Sequence, residues 1–222
     1  MRVVVMGAGG GVGRQAVLAA AAAGHEVVAV ARRGLEVPAG VRSVVADVRD
    51  EAEVRTALAG AQAVLWCVGV TSSSGPDVGR VSLPHVVRSA EECGVGRVVT
   101  VSGAGVTLPG DLKDPGARLV STLTRTFARD LVEDKQGEHD VLTGSRLSWT
   151  EVRPPRLVDS PGTGGWELTD RAPGLRAPAV SKAVVAAAMV ALAGSPGSSG
   201  SDFADTWDRR SPFLVAVPGR RG

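Results

Sequence analysis

The chain has 222 residues, 44% of them apolar and 22% charged, with a formal net charge of +2. That length supports one domain with a real core. The near-neutral balance and the scatter of basic residues exclude a polyanion-binding role, so no nucleic-acid partner is expected. Two cysteines, Cys67 and Cys93, and three dispersed histidines give neither a disulfide framework nor metal-ligand spacing. No apolar run approaches a membrane span, and glycines interrupt the N-terminal run before it resembles a secretory signal. The expectation is a cytoplasmic, metal-free protein acting away from membranes.

Residues 1–6 form a short apolar run suited to a buried strand. They empty into Gly7-Ala8-Gly9-Gly10-Gly11-Val12-Gly13, after which residues 14–23 read as helix. A strand, a glycine turn and a helix in this order make a nucleotide-phosphate cradle. The first glycine makes the tight turn, the middle ones let backbone approach a pyrophosphate, and the last lets helix pack on strand. The helix start offers unpaired N–H groups and a partial positive charge. Gly24 caps that helix, and residues 27–31 are a second strand, completing a βαβ unit of about thirty residues.

A third strand over 41–46 ends at Asp47, and Asp50 caps a helix running to residue 59. Residues 63–68 are a fourth strand, followed by a loop over 69–79. A helix over 81–93 carries Pro84 in its first turn, and residues 97–101 are a fifth strand ending at Ser102. Residues 117–143 read as one long helix that Gly137 bends. A sixth strand over 147–152 runs into Arg153-Pro154-Pro155-Arg156. The segment 159–179 is a Gly/Pro-rich loop with a short strand at Trp166, residues 180–193 are the last clear helix with Ser181 as its cap, and 194–201 is low in complexity. Residues 213–217 add a final edge strand. The alternation predicts a single α/β domain, a doubly wound parallel sheet of the Rossmann type. Segments 159–179 and 194–222 form a small substrate-side extension and tail.

The end of the second strand separates the two nicotinamide cofactors. An Asp or Glu there selects NAD through the ribose 2′-hydroxyl, but this chain places Arg32-Arg33 at that point. A guanidinium binds a 2′-phosphate in a forked, charge-assisted pair worth ~1.5–3 kcal/mol, so NADPH is the expected cofactor. Asp47 either neighbours the adenine or serves the turn.

These segments resemble the short-chain dehydrogenase/reductase superfamily, in particular its atypical NmrA-like members and the biliverdin-IXβ reductase/flavin reductase branch. The likeness rests on the Gly7-x-x-Gly10-x-x-Gly13 spacing, on Ala46-Asp47-Val48, on Val99-Thr100-Val101-Ser102, and on the run from Lys135 through Glu138-His139 and Trp149-Thr150 to Arg153-Pro154-Pro155. Val180-Ser181-Lys182 is also similar. The resemblance implies that Gly7, Gly9, Gly10, Gly11, Val12 and Gly13 hold the phosphates and that Asp47 and Val48 flank the adenine. It further implies that Cys67, Val68 and Gly69 flank the ribose, and that Pro154 and Pro155 pass the nicotinamide. Ser102 matches the serine that orients a carbonyl.

The superfamily's Tyr-x-x-x-Lys acid is missing. The residue four before Lys135 is Leu131, and the chain contains no tyrosine. His139, four residues after Lys135 and hence on the same helical face, is a candidate proton source; a surface histidine is the alternative. Lys135 is either a ribose contact or a solvated charge, and a salt bridge is the expected role of Arg153 and Arg156. The expected activity is NADPH-dependent hydride transfer to a flat conjugated acceptor, a quinone, a flavin or an aromatic, polyketide-type carbonyl. The Ala/Val/Gly/Arg-rich composition resembles GC-rich bacterial coding, which is compatible with secondary metabolism. An NADP-binding sensor without turnover and an NADP-using isomerase or dehydratase are the alternatives. The partners expected are a small-molecule substrate and, at most, a second copy of the chain.

Overall fold

The computed structural model describes residues 1–160, 165–194 and 202–217. Six parallel strands form one sheet in the order β3-β2-β1-β4-β5-β6. They are β1 (Arg2–Met6), β2 (Glu26–Ala31), β3 (Arg42–Val45), β4 (Ala63–Trp66), β5 (Arg97–Val101) and β6 (Trp149–Val152). Alternate residues of each strand point to opposite faces. Val3 and Val5 therefore join the core beneath α1 (Gly11–Ala22) and α6 (Lys182–Leu192), whereas Val4 and Met6 join the core beneath α2 (Glu51–Leu58) and α3 (Val78–Cys93). Burial on both faces explains why the strands read as unbroken valine runs.

The reading of residues 117–143 as one helix is corrected. The chain forms α4 (Pro115–Phe127) and α5 (Arg129–Gly144), separated at Ala128, whose φ of −137° and ψ of 49° leave the helical region. Gly137 lies inside the uninterrupted α5. A Cβ there would lie 2.6 Å from Arg80 Cβ, so the glycine permits the close crossing of α3 and α5. Helix α3 begins at Val78 rather than 81, which puts Pro84 in its interior. Its first turn is capped from α5, because Asp134 accepts the Gly79 and Arg80 N–H groups at 3.1 and 2.9 Å.

Beyond the main sheet, β7 (Leu157–Val158) pairs with β9 (Val180–Ser181), and β8 (Gly165–Thr169) pairs antiparallel with β10 (Phe213–Val217). The expected final edge strand thus belongs to a separate ribbon. Its lead-in covers the outer edge of β6, where the Glu151 and Arg153 N–H groups donate to the Arg210 and Pro212 carbonyls at 3.0 Å each. The short α7 (Asp202–Thr206) is held by Arg97, which is 0% exposed and donates to Leu192 O, Thr150 Oγ1, Ala204 O and Asp208. Most of the 194–201 stretch and the residues 161–164 lie outside the described residues. Trp166 is an anchor: its ring meets Phe203 edge-on at 5.7 Å and packs against the core.

Candidate cofactor and active site

A crevice of about 760 Å³ opens at the carboxyl ends of β1, β2, β4 and β5, where the strand order reverses between β1 and β4. Gly7, Gly9, Gly10, Gly11 and Val12 line one wall. Gly7 has a φ of +78°, and a Cβ on it would lie 2.9 Å from the Cys67 backbone carbonyl. Only glycine fits a left-handed turn pressed this closely to β4. Gly13 lies outside the crevice lining; its absent Cβ lets α1 settle onto the carbonyl oxygen of Gly7. Helix α1 starts at Gly11 with no side-chain cap, so its first N–H groups stay open toward the crevice. A glycine cradle that a Cβ would fill, joined to an uncapped helix start, fits a dinucleotide phosphate.

Arg32, Arg33, Asp47 and Val48 line the outer end of the same crevice. Arg32 reaches across it, donating from Nη1 to Ser73 O at 2.7 Å and from Nη2 to Ser73 Oγ at 3.0 Å. Arg49, which carries no motif in the sequence, adds a third guanidinium there and pairs with Asp77 at 2.6 Å. Asp47 serves the turn, since its Oδ1 accepts the Arg49 N–H at 3.0 Å, while it still faces the crevice.

Cys67, Val68, Gly69, Ser102 and Lys135 form the inner end. Burial pushes the Cys67 thiol up to about 12, which removes it as a thiolate nucleophile. Ser102 ends β5, its N–H donating to Val152 O at 2.9 Å, and its buried Oγ has no partner among the described residues. Lys135 Nζ donates to Val68 O at 2.9 Å and to both Glu138 oxygens at 2.8 Å. Glu138 also accepts the Trp66 Nε1–H at 3.0 Å, and burial pushes its carboxyl up to about 7 although Lys135 pulls it down. Lys135 is thus a buried, fixed cation rather than a solvated one.

His139 is a correction. It is absent from the crevice and lines a separate cavity of about 570 Å³ outside β6, with Nδ1 2.9 Å from Glu151 Oε2 and its ring edge-on to Trp149. Four residues advance a helix by about 6 Å and rotate it by about 40°, enough here to carry the ring from one side of β6 to the other. Pro154 and Pro155 also lie off the crevice lining: Pro154 is buried with its carbonyl accepting Ala104 N–H at 2.8 Å, and Leu157 forms the wall on that side. Arg153 is structural, paired with Asp111 through both Nη atoms and stacked 4.1 Å over the Phe213 ring. Lys182, at the start of α6, joins the crevice over Gly11.

A parallel sheet with a glycine cradle at its switch point defines a dinucleotide-binding Rossmann domain. The chain belongs to the NAD(P)H-binding family, which it matches over residues 7–196. A stretch of 103 residues, 46% of the chain, is 34% identical to an uncharacterised protein of Mycobacterium tuberculosis, of whose length the match spans about 12%. Three solved structures share the fold. An oxidoreductase of Lactococcus lactis is 20% identical, with a TM-score of 0.77 over 99% of this chain and 92% of that one. ChuY, described as an anaerobilin reductase of Escherichia coli, is 21% identical, with a TM-score of 0.73 over 97% of both chains. A short-chain dehydrogenase/reductase of Veillonella parvula in complex with NADP is 16% identical, with a TM-score of 0.74 over 100% and 95%. The dinucleotide-binding fold and NAD(P)H-binding character read from the sequence agree with these relatives. Among the described residues no helix is long and apolar enough to cross a membrane.

Proposed function

We propose that the protein is an NADPH-dependent reductase of a flat, conjugated acceptor: a quinone, a flavin or an aromatic carbonyl. The observation that carries this reading is the pairing of two ends in one crevice. The outer end has Arg32, Arg33 and Arg49, and its one carboxylate, Asp47, stands after β3 rather than at the end of β2 and spends Oδ1 on its own turn. The inner end has an unpartnered serine hydroxyl and no phenol anywhere in the chain. A fold neighbour described as an anaerobilin reductase supports an extended conjugated acceptor, and an NADP-bound neighbour supports the phosphorylated cofactor.

Gly7 to Val12 and the start of α1 would hold the diphosphate, Arg32 and Arg33 the 2′-phosphate, and Cys67 to Gly69 the nicotinamide side. The reduced nicotinamide, when bound, supplies a hydride. Ser102 Oγ donates a hydrogen bond to the acceptor oxygen and holds the acceptor in plane. Lys135 adds fixed positive charge beside that oxygen, where negative charge develops. Lys135 spends its three N–H groups on Val68 O and the two Glu138 oxygens, so the proton comes from solvent and the rate comes from orientation. Quinones and flavins tolerate this; unactivated ketones, which need protonation in step with hydride arrival, do not.

Mixing the protein with NADPH and a panel of quinone, free flavin and simple ketone, while following nicotinamide absorbance, tests this reading. Turnover on quinone or flavin but not on ketone is expected. Tight NADPH binding without turnover on any acceptor would overturn it in favour of an NADP sensor.

A further inference from the structure

Lys182 is the first residue of α6, a position where the helix dipole disfavours a cation. The first turn of α6 has no acidic residue to offset it. Its ammonium nonetheless points away from the helix and into the cofactor crevice, directly over the phosphate loop. A Cβ built on Gly11 would lie 2.8 Å from Lys182 Nζ and 2.9 Å from its Cδ and Cε. The counter-ion is Asp159, whose Oδ1 is 2.7 Å from Nζ. The two partners are unequal: the Lys182 side chain is 27% exposed and Asp159 is 83% exposed.

We propose that Lys182 is a diphosphate-binding residue that exchanges Asp159 for the dinucleotide, an assignment that rests on the cofactor reading above. Three sources of positive potential meet at this point, the uncapped start of α1, the start of α6 and the ammonium between them. An ion pair with one partner in solvent holds weakly. A diphosphate drawn to the N–H groups of α1 would sit against Nζ in a less exposed place and with more charge, so it displaces Asp159. The exchange also gives Gly11 a reason beyond backbone approach. Any side chain there would push Lys182 off the loop.

Binding measured by nicotinamide fluorescence and by calorimetry separates this role from a structural one. Lys182→Met is expected to weaken NADPH and NADH equally, by roughly ten- to a hundredfold, because both carry the diphosphate. Its affinity for adenosine 2′-monophosphate, which has no diphosphate, stays at the wild-type value. Asp159→Asn is expected to tighten both dinucleotides several-fold by freeing the lysine. Wild-type dinucleotide affinity in Lys182→Met would overturn the assignment, and so would an equal loss for the monophosphate. Unchanged or weakened binding in Asp159→Asn would overturn the exchange. If the wild-type protein binds neither dinucleotide, the cofactor reading itself fails, a result distinguishable from all of these.

Discussion

Lys135 and Glu138 form a nearly dry ion pair at the back of the crevice, their side chains 6% and 1% exposed, with Nζ 2.8 Å from both carboxylate oxygens. The lysine is thereby anchored to the floor of the site through Val68 O, one turn of α5 away from Leu131. Removing the lysine would leave the buried Glu138 carboxyl beside Asp134 with Trp66 Nε1–H as its donor, and it then protonates or costs about 3–5 kcal/mol.

Burial raises the Glu138 carboxyl from its usual 4.5 to about 7. Between those values the unfolded chain has lost this proton while the folded chain keeps it. Stability therefore falls as pH rises through that window, and this contribution is fully lost above it. Glu138→Gln keeps an acceptor for Trp66 and Lys135 but cannot titrate. Urea unfolding across the same pH range is expected to show a flatter dependence in the variant; an unaltered slope would exclude Glu138 as its source.

Arg32 and Arg33 govern cofactor choice in this account. Arg32→Asp places a carboxylate where the 2′-phosphate would lie. It is expected to weaken NADPH by roughly ten- to a hundredfold and to leave NADH nearly unchanged. Titrating both cofactors into both proteins checks this, and a parallel loss for the two would show a merely structural role through Ser73.

Ser102 and His139 separate under substitution. Ser102→Ala removes the only buried side-chain oxygen or nitrogen of the crevice lining that lacks a partner among the described residues and is expected to lower kcat tenfold or more. His139→Ala, in the separate cavity outside β6, is expected to leave kcat and KM unchanged while costing some stability through Glu151. Steady-state kinetics on the two variants reads both.

Arg97 is the clearest stability residue. It is buried at the start of β5 and ties α6, β6 and α7 together through four partners. Arg97→Met strands the Leu192 and Ala204 carbonyls and is expected to cost about 3–5 kcal/mol, read as a lower urea midpoint.

The sheet and its crevice were legible because buried parallel strands write valine runs, and because glycines at Gly7 and Gly13 answer to local sterics that any sequence must obey. The helical region was harder. Ala128 breaks the 117–143 helix without a proline or glycine to mark it, and Gly137 looks like a break but is a contact. His139 misled because a shared helical face narrows position to a stripe, not to one cavity. Lys182 and Arg97 owe their roles to elements far away in sequence, Gly11 and α7, and nothing local distinguishes them from surface charges. Glu138 was missed as well, although its spacing from Lys135 on one helix is that of an ion pair.

Hydride transfer from NADPH without a protein phenol is the step on which the proposed function stands. The most direct measurement is a single turnover of protein-bound NADPH, stereospecifically deuterated at the nicotinamide C4, on mixing with a quinone or free flavin. Rapid loss of the nicotinamide absorbance is expected, slowed by deuterium on one face of the ring and not on the other. NADPH that binds tightly and keeps its absorbance with every acceptor would contradict it.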